Sequence, residues 1–233
     1  MSNIIVSGVG QGMGCSIVRL LKKKDHNVSL ISRGETGKRI AQDLGIEYRK
    51  CDLMDQNSTR DAFTGLVKSM GGLDGVVHVA GGFFATKKIA DVDGDFFRSA
   101  LMNNAMTLYN VLKVSGELFP ESGGSIVAIS AARNVYMNSH AGYAAGKGAV
   151  EYMVRALSNE FVDRNIRLNA VAPGAIAKDE CGSQESPDRL GNAIRHDAVY
   201  VAEAVVSLLF NEMMTGQIVE VDAGFGSMIP KGL

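Results

Sequence analysis

Hydrophobic and polar positions along the chain follow two alternating regimes. Short apolar, β-branched runs occupy residues 4–6, 28–31, 46–48, 76–79, 125–129, 166–169 and 217–221. Between them lie longer stretches with helical period at 13–24, 37–44, 58–70, 96–119, 143–163 and 198–211. In the first of these, Ile17, Leu20 and Leu21 share one face. Lys22, Lys23 and Lys24 close it, where cations suit the helix dipole. Near-continuous apolar strands spaced by helices belong to a parallel sheet covered on both faces. The pattern predicts an α/β fold: one doubly wound domain over residues 1–233, with a seven-stranded, mostly parallel sheet and helices on both faces. Ligands in such sheets bind beyond the carboxyl ends of the strands, where strand order reverses. The residues that follow each strand are therefore the ones to read for chemistry.

Composition narrows the classes. Hydrophobic residues are 46% and charged residues 21%, enough apolar surface for a core and too little charge for a disordered chain. The 24 Lys+Arg and 25 Asp+Glu leave a net charge of -1, so no basic field exists to hold a nucleic-acid backbone. Cys15, Cys51 and Cys181 are an odd set without CxxC spacing, which predicts reduced thiols and neither a disulfide framework nor a metal site. No apolar run approaches membrane-spanning length, and the opening Met-Ser-Asn lacks the basic segment of a signal peptide. A cytoplasmic protein is the expectation.

Chemistry gathers at the strand ends. Ser7-Gly8-Val9-Gly10-Gln11-Gly12-Met13-Gly14 follows the first strand and opens a helix. Glycines there let the backbone approach a pyrophosphate, and the helix N-terminus offers free N–H groups. The GxGxxG spacing fails, because Met13 or Cys15 would stand at its third glycine; GxxxGxG fits through Gly8, Gly12 and Gly14. After the second strand come Ser32 and Arg33 where a ribose-binding acid is expected for NAD. A guanidinium suits a 2′-phosphate instead, which predicts NADP, with NAD the lesser alternative. Asp52 after the third strand suits an adenine amino group, with Leu53 packing nearby, or is an ordinary turn acid. Tyr143 and Lys147 sit four residues apart on one helix face, where Lys147 would lower the tyrosine pKa and hold ribose hydroxyls. Ala144, Ala145 and Gly146 between them would leave room for a flat ring.

Gly8-x-x-x-Gly12-x-Gly14 together with Tyr143-x-x-x-Lys147 resembles the short-chain dehydrogenase/reductase family, over residues 3–226. Residues 169–174, Asn-Ala-Val-Ala-Pro-Gly, are similar to the family's nicotinamide-pocket stretch. Residues 215–217 and 221–224 are similar to its last strand and the turn after it. His78-Val79-Ala80-Gly81 stands where the family often has Asn-Asn-Ala-Gly; His78 is expected to be a core histidine with a backbone partner. The resemblance implies a Rossmann-type domain whose cofactor rests on Ser7, Gly8, Gln11, Gly12, Met13, Gly14, Ser32, Arg33, Asp52, Leu53, Ala80, Gly81, Tyr143, Lys147, Pro173, Gly174 and Ile176.

The implied reaction is hydride transfer between NADP(H) and a carbonyl or secondary alcohol of a small molecule, with no metal. Tyr143 would be the general acid, Lys147 its activator and Ser130 the carbonyl's hydrogen-bond donor, with Asn103 supporting a proton-carrying water. Two alignments compete at the serine. Counting back 13 residues from Tyr143 selects Ser130, whereas aligning residues 123–127 without a gap puts Ala131 there. Asn104 adjoins Asn103, and alignment on Phe96 selects Asn103. The region 175–192 is the expected short substrate lid, with Phe83, Phe84, Arg133 and Asn134 as further lining. A homotetramer or homodimer is expected, from the two long helices and the apolar tail 225–230. The alternatives are a catalytically impaired NADP-binding sensor or scaffold, and a 3-oxoacyl-acyl-carrier-protein reductase docking through Lys87, Lys88 and Arg133.

Overall fold

A computed structural model describes residues 1–82, 87–176 and 197–224. Its strands are β1 (Asn3–Ser7), β2 (Asn27–Ser32), β3 (Glu47–Lys50), β4 (Gly75–His78), β5 (Gly124–Ile129), β6 (Ile166–Pro173) and β7 (Ile218–Val221). The helices are α1 (Met13–Lys23), α2 (Glu35–Leu44), α3 (Gln56–Met70), α4 (Gly94–Leu118), α5 (Arg133–Met137), α6 (Ala141–Val162) and α7 (Ala198–Phe210). The strands form one sheet in the order β3-β2-β1-β4-β5-β6-β7, and every described pairing is parallel. Order reverses between β1 and β4, which are in register from Ile4↔Gly75 to Ser7↔His78. That reversal opens the ligand crevice at the carboxyl edge.

Strand alternation distributes the apolar side chains to two cores. Ile4, Val6, Leu30, Val127 and Ile129 pack against α1, α2 and α7. Ile5, Ile31, Ile126 and Ala128 pack against α3, α4 and α6 on the other face. Each fully buried side chain such as Phe63, Leu66 or Leu108 contributes about 1.5–3 kcal/mol. Burial on both faces is why these strands read as continuous apolar runs.

Helix starts differ in a way that matters for the site. Asp55, Asp93, His140 and Asp197 accept from the backbone N–H of Ser58, Phe96, Tyr143 and Val199, capping α3, α4, α6 and α7. These caps move the starts of α4 and α6 two residues upstream of the periodicity-based bounds. By contrast, α1 and α2 begin at Gly12 and Gly34 with no side-chain cap. The short α5 was not foreseen; it fills the loop after β5. Cys51 is a free, buried thiol, whereas Cys15 is disulfide-bonded, against the expectation of reduced thiols throughout. Among the described residues no helix is long and apolar enough to cross a membrane. Residues 177–192 of the expected lid, Phe83, Phe84 and the tail 225–230 lie outside the described residues.

Candidate active site

The glycine loop uses three of its four glycines for geometry. Gly8 has φ +81°, and a Cβ there would overlap the backbone of Ala80 at the end of β4. Gly12 has φ 76° at the start of α1, and a Cβ on Gly14 would fall 3.2 Å from Val9 Cα. Gly10 has open space around it. The positions under constraint are those of the GxxxGxG spacing. They leave the N-terminus of α1 uncapped, next to Met13, with N–H groups available to an anion.

At the ends of β2 and β3, Ser32 is buried and its Oγ donates to Gly34 O at 3.4 Å. Arg33 is exposed and lies 3.9 Å from Asp52, itself exposed. Asp52 Oδ1 also accepts from Met54 N, so it is a turn acid as well as an ion-pair partner. Leu53 is buried, and Asn110 on α4 holds its loop by donating to Leu53 O and Met54 O. Gln11 is exposed and shares a crevice between α1 and α2 with Arg19 and Arg39.

At the end of β4, His78 is buried between two hydroxyls: Ser7 Oγ at 3.0 Å from Nδ1 and Thr107 Oγ1 at 3.3 Å from Nε2. The expected backbone partner is thus replaced by side chains of β1 and α4. Burial and the Lys147 charge push the imidazole down to about 3, so it is neutral. Gly81 follows with φ 131°, and a Cβ there would overlap Asn104 Oδ1 and come within 3.2 Å of Lys147 Nζ.

That contact locates the asparagine. Asn104 is fully buried, donates from Nδ2 to Ala100 O at 2.9 Å, and its Oδ1 has no hydrogen-bond partner. Asn103, the residue selected from the sequence, bonds Ser99 Oγ on the exposed side of α4 and is not brought to the group. Helical geometry rotates adjacent residues by about 100°, so only one of the pair can face Lys147. Asn104 gets there because α4 and α6 pack through glycine: a Cβ on Gly146 would meet Asn104 Cβ at 3.0 Å, and one on Gly142 would meet Phe97 O at 3.0 Å. Gly146 therefore serves helix packing rather than room for a ring.

Tyr143 and Lys147 are both buried, with Lys147 Nζ 5.8 Å from the Tyr143 ring centroid. Lys147 Nζ donates to Ile129 O at 2.8 Å. Burial pushes the Tyr143 phenol above its ordinary value, the opposite of the expected depression by Lys147. Tyr143 is thereby held protonated, the form of a proton donor. Burial lowers Lys147 to about 8, with Glu151 acting in the other direction.

Ser130 stands directly after β5, with its hydroxyl turned to α6. Ser130 Oγ donates to Glu151 Oε1 at 2.9 Å and lies 3.5 Å from Lys147 O. Its N–H bonds Val171 O and that of Ala132 bonds Pro173 O, extending the β5–β6 ladder, so Ala131 points to the face opposite Ser130. Ser130 belongs to the α6 side of the sheet. Glu151 is the residue the sequence reading missed; an acid four residues after Lys147 on a half-buried helix was its only signal. Beyond β6, Gly174 N bonds Val221 O, and Ile176 packs on the α1–α7 core. Asn169 is structural, bonded to Met214 O and Gln217 N.

A nicotinamide dinucleotide fits this edge. The uncapped α1 terminus suits its pyrophosphate. Gly8 and Gly81 leave space where a side chain would intrude, and Asn104 Oδ1 is a buried acceptor with a bond to make.

Residues 8–226 match the family model described as enoyl-(acyl carrier protein) reductase. The chain is 29% identical over 235 residues to a human 3-oxoacyl-[acyl-carrier-protein] reductase, covering 94% of this chain and 95% of that one. It is 30% identical over 228 residues to carbonyl reductase family member 4 of Danio rerio, covering 94% and 96%. A short-chain type dehydrogenase/reductase from Mycobacterium ulcerans superposes with a TM-score of 0.85 at 26% identity, covering 97% of this chain and 90% of that structure. With the glycine turn, the bare α1 terminus and the buried tyrosine–lysine pair on one sheet edge, the chain belongs to the short-chain dehydrogenase/reductase family of nicotinamide-dependent oxidoreductases.

Proposed function

We propose that the protein is an NADP(H)-dependent reductase of a small-molecule carbonyl, or the corresponding alcohol dehydrogenase. The observation that carries this is the burial of Tyr143 and Lys147 side by side at the carboxyl edge, with Asn104 opposite. When bound, the nicotinamide supplies or accepts the hydride. Tyr143 donates its proton to the carbonyl oxygen, and its burial keeps that proton in place until the oxygen becomes basic. Lys147 carries positive charge beside it and binds ribose hydroxyls. Asn104 Oδ1, rather than Asn103, accepts from a water next to Lys147. Ser7, Gly8, Gly12, Met13 and Gly14 bind the pyrophosphate side; Asp52 and Leu53 bound the adenine; Pro173, Gly174 and Ile176 bound the nicotinamide. Ser32 and Arg33 receive the 2′-phosphate, and exposed Arg33 can exchange Asp52 for it, while Gln11 lies in the turn before α1. The protein works as a homo-oligomer, joined through α4 and α6.

The names of the relatives suggest carbonyls ranging from free ketones to acyl thioesters, and exposed Lys87, Lys88 and Arg133 suit an acidic carrier. Oxidation of NADPH across ketones, keto acids, sugars and acyl thioesters tests the reading; turnover of one class is expected. A second reading, an NADP-binding sensor or scaffold, is favoured by one observation: the Ser130 hydroxyl bonds Glu151, while Ala131 stands at the gapless position. NADPH binding without turnover of any class supports that reading.

A further inference from the structure

Helix α6 grips the end of β5 at two consecutive residues. Lys147 Nζ holds Ile129 O at 2.8 Å, and Glu151 Oε1 holds Ser130 Oγ at 2.9 Å. Lys147 and Glu151 are one helical turn apart on one face. The Ser130 hydroxyl also lies 3.5 Å from the Lys147 carbonyl, so it touches both turns of the grip. We propose that Glu151, oriented by Ser130, is a positioning residue that keeps the Lys147 ammonium charged and seated at Ile129.

The surroundings of Lys147 explain the need. It is 4% exposed, and burial disfavours its charge. Tyr143 on α6 is a neutral phenol, His78 on β4 is neutral between Ser7 and Thr107, and Asn104 on α4 carries no charge. Among the described residues that face it, Glu151 is the carboxylate that acts on Lys147. Burial raises the Glu151 carboxyl, and the Ser130 hydrogen bond favours its ionised form. Arg155 also favours that form, while Glu220 opposes it. Ser130 thus serves Lys147 through Glu151 instead of the substrate carbonyl. The inference rests on the reading of Lys147 as the cation beside the proton donor.

The test is an NMR titration of the Lys147 side-chain Cε signal in the protein without cofactor. A lysine is charged below its pKa, so losing Glu151 must move the midpoint to lower pH. Glu151→Gln can still accept from Ser130 but lacks the charge; its midpoint is expected to fall by about one pH unit. Ser130→Ala is expected to shift it in the same direction by less. Circular dichroism checks folding, and Ser130→Ala carries the test if Glu151→Gln does not fold. Parent midpoints in the folded variants overturn the proposal. NADPH titrations separate the two claims. If the parent binds NADPH, its affinity in Glu151→Gln should fall off at lower pH than in the parent. If the parent does not bind NADPH, the proposed cofactor fails while the lysine midpoints still decide the role of Glu151. For turnover, Ser130→Ala should lose less than about tenfold on its pH plateau; a loss of roughly a hundredfold with an unmoved Lys147 midpoint would return Ser130 to the carbonyl.

Discussion

The turn after β1 and the edge after β5 both face the cofactor crevice, yet they are built on different principles. After β1, the backbone itself is the functional part. Gly8, Gly12 and Gly14 are constrained by φ or by close approach, and no side chain has to be aimed. After β5, function depends on which way a side chain points, and a one-residue offset sends Ser130 to Glu151 while Ala131 takes the other face. A backbone site tolerates no added Cβ but needs no partner. A side-chain site is only as good as the neighbouring helix that orients it.

The sharpest way to break this comparison is at the side-chain site. Tyr143→Phe keeps the buried ring but removes the proton. Turnover should fall by roughly 10²–10⁴ with NADPH binding retained in a fluorescence titration. A variant working at the parent rate would contradict the assigned donor.

On the backbone side, Gly8→Ala must place a Cβ into Ala80 at positive φ. The expected cost is about 3 kcal/mol or more, a drop in Tm of about 6–12 °C by calorimetry. Gly10→Ala, in open space, should stay within about 0.5 kcal/mol. Equal losses at both positions would mean that the loop is flexible rather than constrained.

His78 ties the end of β1 to α4 through Ser7 and Thr107, and its titration measures that link. Its folded pKa, about 3, lies below the ordinary 6.5, so the unfolded chain binds the proton first. The contribution is present in full above about pH 6.5 and is lost as pH falls towards 3. Stability should drop by roughly 2 kcal/mol between about pH 7 and pH 5 from this group alone. Denaturant titrations of His78→Asn should show a flatter dependence over the same range.

Smaller effects separate the neighbouring asparagines and the cofactors. Asn104→Ala should lower kcat about tenfold or more, whereas Asn103→Ala should change it by less than about twofold. The reverse ranking would restore Asn103. Arg33→Ala should weaken NADPH by about tenfold and leave NADH unchanged, read by titration of each cofactor.

The element order, the parallel sheet and the glycine spacing were legible in the sequence because each depends on local pattern. Apolar runs buried on both faces, turns needing positive φ and a four-residue helical offset all leave marks within a few residues. The identity of Tyr143 and Lys147 as a pair was legible for the same reason. What tertiary structure alone decided was orientation. Asn104 rather than Asn103 meets Gly81 and Lys147, because glycines on α6 let α4 approach and set its rotation. Ser130 turns to Glu151, because the β5–β6 ladder continues past Ile129 and fixes which face each side chain takes. Tyr143 is pushed up rather than down, because the folded edge takes the phenol out of water while the Lys147 ammonium bonds Ile129 O. These outcomes depend on contacts between segments far apart in the chain, and no local spacing records them.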